Sequence, residues 1–267
     1  MTDPNASIAI FDSGLGGLTV FRALKELLPK ENLLYFGDTA RIPYGNKRPE
    51  TILSYCKQAA QFLETHNIKI LILACHTACA AALKELRADL NVPVIAILEQ
   101  AIDQVSLISN QNKIAILGTQ ATLSTGAFQK QISERLPHAE LTTIACPLFV
   151  PLVEEGFISH ALTRLAIKEY LSPLKENKID TVLLGCTHYP LLQQLIAQEL
   201  GSDVTLMDPA TACAKKVQEV LAETHLLNEQ TSSPLIQFYV SDDPDKFRKI
   251  GSLILQEPIA SVEIAQL

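Results

Sequence analysis

The chain has 267 residues, of which 48% are hydrophobic and 19% are charged, and its formal net charge at pH 7 is −7. This composition excludes a disordered chain and predicts one large domain or two smaller ones with a sizeable core. The acidic balance, with no basic tract, argues against a nucleic-acid partner and against binding to an anionic membrane surface.

The sequence also bears on where the protein works. The longest apolar runs, such as Ile68–Cys75, have the length of a strand and are too short to span a bilayer. Residues 1–7 form a short polar segment unlike a secretory signal, and six cysteines without such a signal favour reduced thiols over a disulfide framework. We therefore expect a cytoplasmic protein without a membrane partner.

From the N-terminus onward, short β-branched runs alternate with longer amphipathic runs. This is the pattern of parallel strands connected by helices that cover both faces of a sheet. The first part of the chain predicts strands at Ile8–Phe11, Asn32–Gly37, Lys69–Cys75 and Val92–Ile97, and helices at Leu18–Leu28, at Arg48–Asn67 and from the end of the third strand to Leu90.

The alternation restarts near residue 113. Strands are predicted at Lys113–Leu117, Glu140–Cys146, Asp180–Gly185 and Val204–Met207, with helices at Ser124–Leu136, Leu162–Lys175, Leu191–Leu200 and Ala210–Ala222. A polar link, Asn228–Pro234, then leads to the last two elements, Ile236–Val240 and Asp245–Leu255.

The restart has the character of an internal repeat. Ile8–Ile10 matches Ile114–Ile116, and the strand end at Leu73–Thr77 matches the one at Leu184–His188 with nearly the same offset. We therefore predict an α/β fold of two pseudo-symmetric open parallel-sheet domains with the active site between them. Residues 1–97 with 210–267 would form the first domain and residues 98–209 the second, because the C-terminal segment is too short for a core of its own.

Cys75 and Cys186 are the main candidates for chemistry. Each ends a buried strand and precedes a helix, and ligands of open parallel sheets bind beyond the carboxyl ends of strands. A helix N-terminus also favours a thiolate. One buried cysteine is commonly just a small hydrophobe, but two at equivalent places of a repeat suggest a pair that removes a proton from one face of a carbon and returns one to the other face, as a racemase does.

Two glycine-containing loops are further candidates. The turn at Phe11–Gly17 lacks the spacing of a dinucleotide motif and the lysine of a P-loop, so a nucleotide is disfavoured. Its backbone N–H groups suit a carboxylate, and Asp12 suits an ammonium group or proton transfer at Cys75, unless it only caps the next helix. In the polar loop Gly37–Lys47, Tyr44 and Gly45 suit a substrate carboxylate as well as plain turn chemistry.

Polar residues near the second thiol complete the candidate set. His188 is placed to hydrogen-bond a substrate or to assist Cys186, and Glu154 either orients His188 or is a solvated helix charge. The hydroxyls at strand ends, for which helix capping is the default role, are those of Thr77, Thr119, Thr122 and Thr187.

The remaining cysteines and histidines suggest ordinary structural roles. We expect buried structural thiols at Cys56, Cys79, Cys146 and Cys213, and exposed rings at His66, His138, His160 and His225. A zinc site drawn from Cys75, His76, Cys79, Cys186 and His188 is disfavoured, because the chain has no CxxC pair and the two thiols lie in separate halves.

Several longer motifs resemble those of the glutamate racemases, cofactor-independent members of the aspartate/glutamate racemase superfamily. The matching stretches are FDSGLGGLTV at 11–20, GDTARIPYGNK at 37–47, ACHTACAA at 74–81, GTQATL at 118–123, CPLFVPLVEEG at 146–156 and GCTHYPLL at 185–192. They span most of the chain in the order found in that family.

The resemblance implies two α/β domains around a buried glutamate site, with Cys75 and Cys186 as the acid/base thiols. It implies no metal, pyridoxal phosphate or nucleotide cofactor, a homodimer, and D-glutamate supplied to peptidoglycan synthesis in a bacterial cytoplasm. The positions that fall on the substrate contacts of the family are Asp12, Ser13, Tyr44, Gly45, Thr77, Thr187 and His188, to which we add Thr119 and Thr122 as candidates.

His76 is a departure, because the family usually has Asn after the first catalytic cysteine; Cys79, in place of the usual Ser, is a milder one. The imidazole is bulkier, has a different geometry and can carry charge. We expect His76 where the substrate backbone binds, and expect His76→Asn to change KM or the pH optimum. Alternatives are a related racemase for aspartate or another α-substituted acid, a thiol-rich metal or redox protein, and a low-activity descendant that mainly binds a small acid or a partner.

Overall fold

The computed structural model describes residues 3–109, 112–176 and 178–267, and its strands form two sheets in which every pair is parallel. The strands are β1 (Ser7–Asp12), β2 (Leu33–Gly37), β3 (Ile68–Leu73), β4 (Val94–Ala96), β5 (Lys113–Gly118), β6 (Glu140–Ala145), β7 (Thr181–Gly185), β8 (Thr205–Met207), β9 (Ile236–Val240) and β10 (Glu263–Ile264). Each strand predicted from the sequence is present within a few residues of its expected limits.

The order of the strands shows the repeat that the sequence suggested. The six-stranded sheet runs β10-β9-β2-β1-β3-β4, and the four-stranded sheet runs β6-β5-β7-β8. The second sheet therefore repeats the β2-β1-β3-β4 order of the first, with β5 in the place of β1 and β7 in the place of β3. The expectation of two pseudo-symmetric parallel sheets is confirmed.

Helices connect these strands and cover both sheets. They are α1 (Leu18–Leu27), α2 (Pro49–Glu64), α3 (His76–Asp89), α4 (Ile97–Ile108), α5 (Gln120–Ser124), α6 (Ala127–Arg135), α7 (Phe149–Glu154), α8 (Ala161–Leu171), α9 (Gln193–Leu200), α10 (Ala210–Glu223) and α11 (Pro244–Leu255). Among the described residues, no helix is both long and apolar enough to cross a bilayer.

Some helices differ from the prediction. α4 was not predicted, because its apolar residues begin directly after β4 with no intervening loop signal. The helix expected over Ser124–Leu136 begins only at Ala127, since Gly126 takes a left-handed conformation (φ 67°) between α5 and α6. The helix expected to reach Lys175 leaves α-helical geometry after Leu171 and continues as a 3-10 turn.

The apolar core runs between the sheets. α4 packs with residues of the first sheet and with Ile114 and Ile116 of β5, whereas Ala115 and Leu117 face a second core on the far side of the small sheet. This alternation follows from the two-residue period of a strand. At the C-terminus, β9 pairs with β2 and β10 with β9, so the last segment extends the first sheet. The exact domain limits at 97/98 and 209/210 stay a prediction.

A buried ion pair ties the N-terminus of β3 to two distant segments. The ammonium of Lys69 donates to Glu31 Oε2 at 2.5 Å and to the backbone carbonyls of Pro4 and Leu226 at 2.6 and 2.8 Å. Both charged side chains are buried, and Glu31 Oε1 also accepts from the N–H of Asn228. Every charge at this junction therefore has its partners.

We expect Lys69→Met to lower the free energy of unfolding by about 3–5 kcal/mol, because it leaves the Glu31 carboxylate buried without its counter-ion. Urea denaturation measures the loss. Lys57→Met is the matched control: Lys57 pairs with Asp89 at 2.9 Å, but both side chains are about half exposed, so its loss should stay below about 1 kcal/mol. Equal losses in the two variants would contradict the assigned role of the buried pair.

Candidate active site

Each sheet has a point where the chain reverses the direction in which strands are added. β2 and β3 lie on opposite sides of β1, as β6 and β7 lie on opposite sides of β5. Asp12 ends β1 and Cys75 follows β3, while Thr119 follows β5 and Cys186 follows β7. Ligands of open parallel sheets bind at such reversals, so the two predicted thiols occupy equivalent and suitable places.

Cys75 is buried at the N-cap of α3, where its thiol donates to Ser13 Oγ at 3.4 Å. Burial, followed by the charge of Asp12, raises the pKa of Cys75 to about 12, although Ser13 and the N–H of Ala78 act in the opposite direction. The helix N-terminus does favour a thiolate at Cys75, through the Ala78 N–H, but loss of solvation outweighs this contribution. Cys75 is a neutral thiol at neutral pH.

Cys186 belongs to a buried chain of three side chains. Its sulfur lies 3.7 Å from Nδ1 of His188, and Nε2 of that ring lies 2.6 Å from Glu154 Oε1. Burial alone lowers the pKa of His188, but its hydrogen bonds to Cys186 and Glu154 and their negative charge raise that pKa well above its ordinary value. The sulfur and the carboxylate therefore favour the protonated form of the His188 ring. Glu154 is buried, so the reading of it as a solvated helix charge is wrong.

The turn after β1, which belongs to the first sheet, packs against the group formed by Cys186, His188 and Glu154. The Leu15 N–H donates to the same Glu154 Oε1 at 2.9 Å. A Cβ at Gly16 would lie 2.5 Å from His188 Nδ1 and 2.6 Å from Thr187 Oγ1, so only glycine allows this approach. The glycine turn that the sequence singled out thus serves contact between the two sheets.

Asp12 makes the second link across the cleft. Its Oδ1 accepts from Thr187 Oγ1 at 3.1 Å and its Oδ2 from the N–H of Gly14 at 2.9 Å. Burial raises the pKa of Asp12, while His188, Gly14, Gly17 and Thr187 act to lower it. The alternative role of capping α1 is wrong, because Gly17 is its N-cap and no side chain caps it.

Tyr44 and Gly45 are held by a residue that the sequence reasoning missed. Asp38, fully buried after β2, accepts from the Tyr44 hydroxyl, from Arg41 Nε at 2.7 Å and from Ser241 Oγ at 2.8 Å. Burial and the Asp38 charge raise the pKa of Tyr44, so its hydroxyl stays a donor to Asp38. The position of Asp38 directly after a buried strand, like that of Asp12, was the available signal.

Three hydroxyls from both sheets form a closed triangle. Thr77 Oγ1 lies 3.0 Å from Thr119 Oγ1 and 3.0 Å from Thr122 Oγ1, and the last two are 2.9 Å apart. Thr119 also caps α5 by accepting from the N–H of Thr122 at 3.2 Å. A Cβ at Gly45 would lie 2.6 Å from the Thr119 Cβ, so the backbone of the Gly37–Lys47 loop passes directly over this triangle.

His76 is buried beside the first thiol, and neither ring nitrogen has a hydrogen-bond partner. Its ring centroid lies 5.8 Å from that of Phe128 on α6. Burial lowers the pKa of His76 to about 3, so the imidazole is neutral throughout the working range of pH. We therefore still expect His76→Asn to change KM, but we no longer expect it to change the pH optimum.

The other sulfur and imidazole groups lie outside this cluster. All six cysteines are free and buried, as expected for Cys56, Cys79, Cys146 and Cys213. Of the four histidine rings expected to be exposed, His138, His160 and His225 are exposed, whereas His66 is half-buried against Phe62 and Tyr239. Among residues 3–109, 112–176 and 178–267, no three His, Cys, Asp or Glu side chains are arranged to hold a metal ion.

Comparison with known proteins places this geometry in a family. The sequence model of the Asp/Glu/Hydantoin racemase family matches residues 4–217. A glutamate racemase of Syntrophus aciditrophicus is 43% identical over 260 residues, covering 97% of this chain and 96% of its own. One from Neisseria meningitidis serogroup A is 44% identical over 261 residues, with the same coverage.

Solved structures agree with the sequence matches. The glutamate racemase of Francisella tularensis, crystallised in complex with D-glutamate, superposes with a TM-score of 0.91 at 39% identity and 98% coverage of both chains. Glutamate racemase isoform RacE1 of Bacillus anthracis superposes with a TM-score of 0.94 at 33% identity, covering 99% of this chain and 98% of its own. By sequence and by fold, the chain belongs to the Asp/Glu/Hydantoin racemase family and is an amino-acid racemase.

Proposed function

We propose that the protein interconverts L- and D-glutamate without a cofactor, with Cys75 and Cys186 as acid and base on opposite faces of the α-carbon. The observation that carries this proposal is the placement of the two thiols. They follow equivalent strands of two like sheets, and each is tied into one buried cluster through Ser13, Asp12 and Thr187. Cys186 is also among the groups that raise the pKa of Cys75.

The reaction requires one proton to leave and another to arrive. In one direction the sulfur of one cysteine takes the α-proton while the thiol of the other donates its own proton to the opposite face of the carbanion. In the reverse direction the two exchange roles. The neutral thiol of Cys75 suits the acid, and protonated His188 beside Cys186 is a donor that supports proton movement at the second sulfur.

The polar groups around the thiols suit an amino acid with two carboxylates. Asp12 is the proposed partner of the α-ammonium. Hydroxyl, imidazole and backbone donors serve the carboxylates: the hydroxyls of Ser13, Thr77, Thr119, Thr122 and Thr187, the His188 ring and the backbone of Tyr44 and Gly45. The hydroxyl of Tyr44 is engaged by Asp38, so in this proposal the tyrosine acts through its backbone. His76 offers the substrate its two ring nitrogens, which have no hydrogen-bond partner in the protein.

Glu154 is a positioning residue in this scheme. It touches His188 and the Leu15 N–H and reaches the reacting atoms only through the imidazole. We further propose that the enzyme is a cytoplasmic homodimer that supplies D-glutamate for peptidoglycan synthesis, with no nucleic-acid or membrane partner. The names of the relatives support glutamate as the substrate, and the sequence resemblance implies the dimer, the location and the role in peptidoglycan synthesis. A related amino acid such as aspartate is the alternative substrate, because His76 stands where the family usually has Asn; a substrate panel tests it.

In heavy water, the protein should introduce solvent deuterium at the α-position of L- or D-glutamate as optical rotation decays. Cys75→Ser and Cys186→Ser should each lower the rate of racemisation by about 10²–10⁴-fold, because each removes one acid/base group. Proton NMR and polarimetry measure the two quantities. The buried thiol Cys213 lies on α10 outside the cluster, so Cys213→Ala should react normally; normal turnover by either serine variant would refute the assignment.

Glu154→Gln should move the basic limb of the pH–rate profile to lower pH. The carboxylate helps to keep the pKa of His188 raised, so without its charge the imidazole loses its proton at lower pH. We expect kcat to fall by about tenfold or more, as for the loss of a charged hydrogen bond. Glu155→Gln, next in sequence and exposed, is the control. An unmoved basic limb would contradict the role of Glu154.

Gly16→Ala should lower kcat/KM by at least about tenfold, since a methyl group there meets Thr187 and His188 at 2.5–2.6 Å and separates the turn from the second sheet. Gly201→Ala is a useful comparison, because a Cβ at Gly201 meets nothing within 4 Å although its φ of 89° makes the substitution strained. Steady-state kinetics with circular dichroism separates misfolding from misalignment. Wild-type kinetics in Gly16→Ala would show that the close approach is dispensable.

A further inference from the structure

His76 violates a rule that buried polar groups obey. Its side chain is 1% exposed, and Nδ1 and Nε2 both lack a partner. Buried polar atoms are almost always hydrogen bonded, and one left unpaired reduces stability. Two unpaired nitrogens on one ring are therefore a feature that folding alone does not explain.

The His76 ring lies against an aromatic ring from the second half of the chain. His76 opens α3 directly after Cys75 and before Thr77, which belongs to the hydroxyl triangle. On its other side is Phe128, at 5.8 Å between centroids and 33° between planes. The Phe128 ring in turn closely approaches Gly185, the residue before Cys186. Through Phe128, the imidazole is thus connected to the strand end that carries the second thiol.

We propose that Phe128 positions the imidazole of His76 so that its ring nitrogens stay unpaired until an amino acid binds and supplies their partner. His76 is then a substrate contact made at the expense of stability, and Phe128 is a positioning residue that acts through it. This inference rests on the proposed function, since glutamate is taken as the amino acid.

The chemistry of the ring matches that of the ligand. A neutral imidazole has one N–H donor and one acceptor nitrogen, whichever tautomer is present. A zwitterionic amino acid carries both complements, an ammonium that donates and carboxylates that accept. An aliphatic side chain of similar size, as in His76→Leu, keeps the packing against Phe128 and removes both ring partners.

Binding is measured as the rise in Tm that D-glutamate produces, which needs no turnover. His76→Leu should weaken D-glutamate binding and raise KM by about tenfold or more, with a smaller effect on kcat. His76→Asn restores a donor and an acceptor on a shorter side chain and should give an intermediate KM. Unchanged affinity and KM in His76→Leu would overturn the proposal.

Thermal unfolding without ligand gives an independent readout. His76→Leu should raise Tm by about 2–4 °C, because it removes unpaired polar atoms from the interior. The matched control is His66→Leu: that ring is half-buried against aromatic rings but is paired with Thr65 Oγ1 and the Phe62 carbonyl. His66→Leu should leave KM unchanged and should not raise Tm. A fall in Tm for His76→Leu would show that the ring is already paired, and would also overturn the proposal.

A double-mutant cycle tests the role of Phe128. Phe128→Leu should raise KM in the wild-type background and have no further effect on KM in His76→Leu, since it acts through the imidazole. Equal KM increases in both backgrounds would overturn the positioning role. If the wild type binds D-glutamate in a His76-dependent way but exchanges no deuterium, the proposed function fails while the present inference stands.

Discussion

The site depends on one shared carboxylate oxygen. Glu154 Oε1 accepts from the Leu15 N–H of the turn after β1 and lies 2.6 Å from the imidazole of His188. It thereby joins a backbone turn of the first sheet to a side chain that contacts Cys186 in the second. Because Gly16 lets this turn touch His188, closure of the cleft and the charge of the imidazole depend on the same few atoms.

Burial has different outcomes for the protonation of different side chains in the cluster, and this difference suits proton transfer. Loss of solvation keeps the Cys75 thiol and the His76 ring neutral. At His188 the effect of burial is overcome, because the hydrogen bonds and electrostatic interactions with Cys186 and Glu154 raise the pKa of the ring. Neutral and charged groups can thus stand side by side in one dry site, because each charge is paired and hydrogen bonded.

The fold and the site were predictable to different extents. The strands and the places of the two thiols followed from period-two and helical patterns, which are local. α4 was missed because its helical pattern starts where a strand pattern ends, and the helix expected over Ser124–Leu136 was drawn too long because Gly126 interrupts it. Asp38 was missed because its importance lies in partners that include Ser241, far along the chain. The raised pKa of Cys75 was not predicted, because the extent of burial depends on residues that are distant in the sequence.

The sequence by itself determined the parallel α/β class, the repeat, and the presence of a thiol at the end of one strand in each half. These features depend on side-chain periodicity and on the order of residues along the chain. Only the tertiary structure decided that Leu15 meets Glu154 across 139 positions, that Asp12 meets Thr187 across 175, and that His76 lacks a partner. Such outcomes depend on which distant groups share a buried space, and therefore on packing.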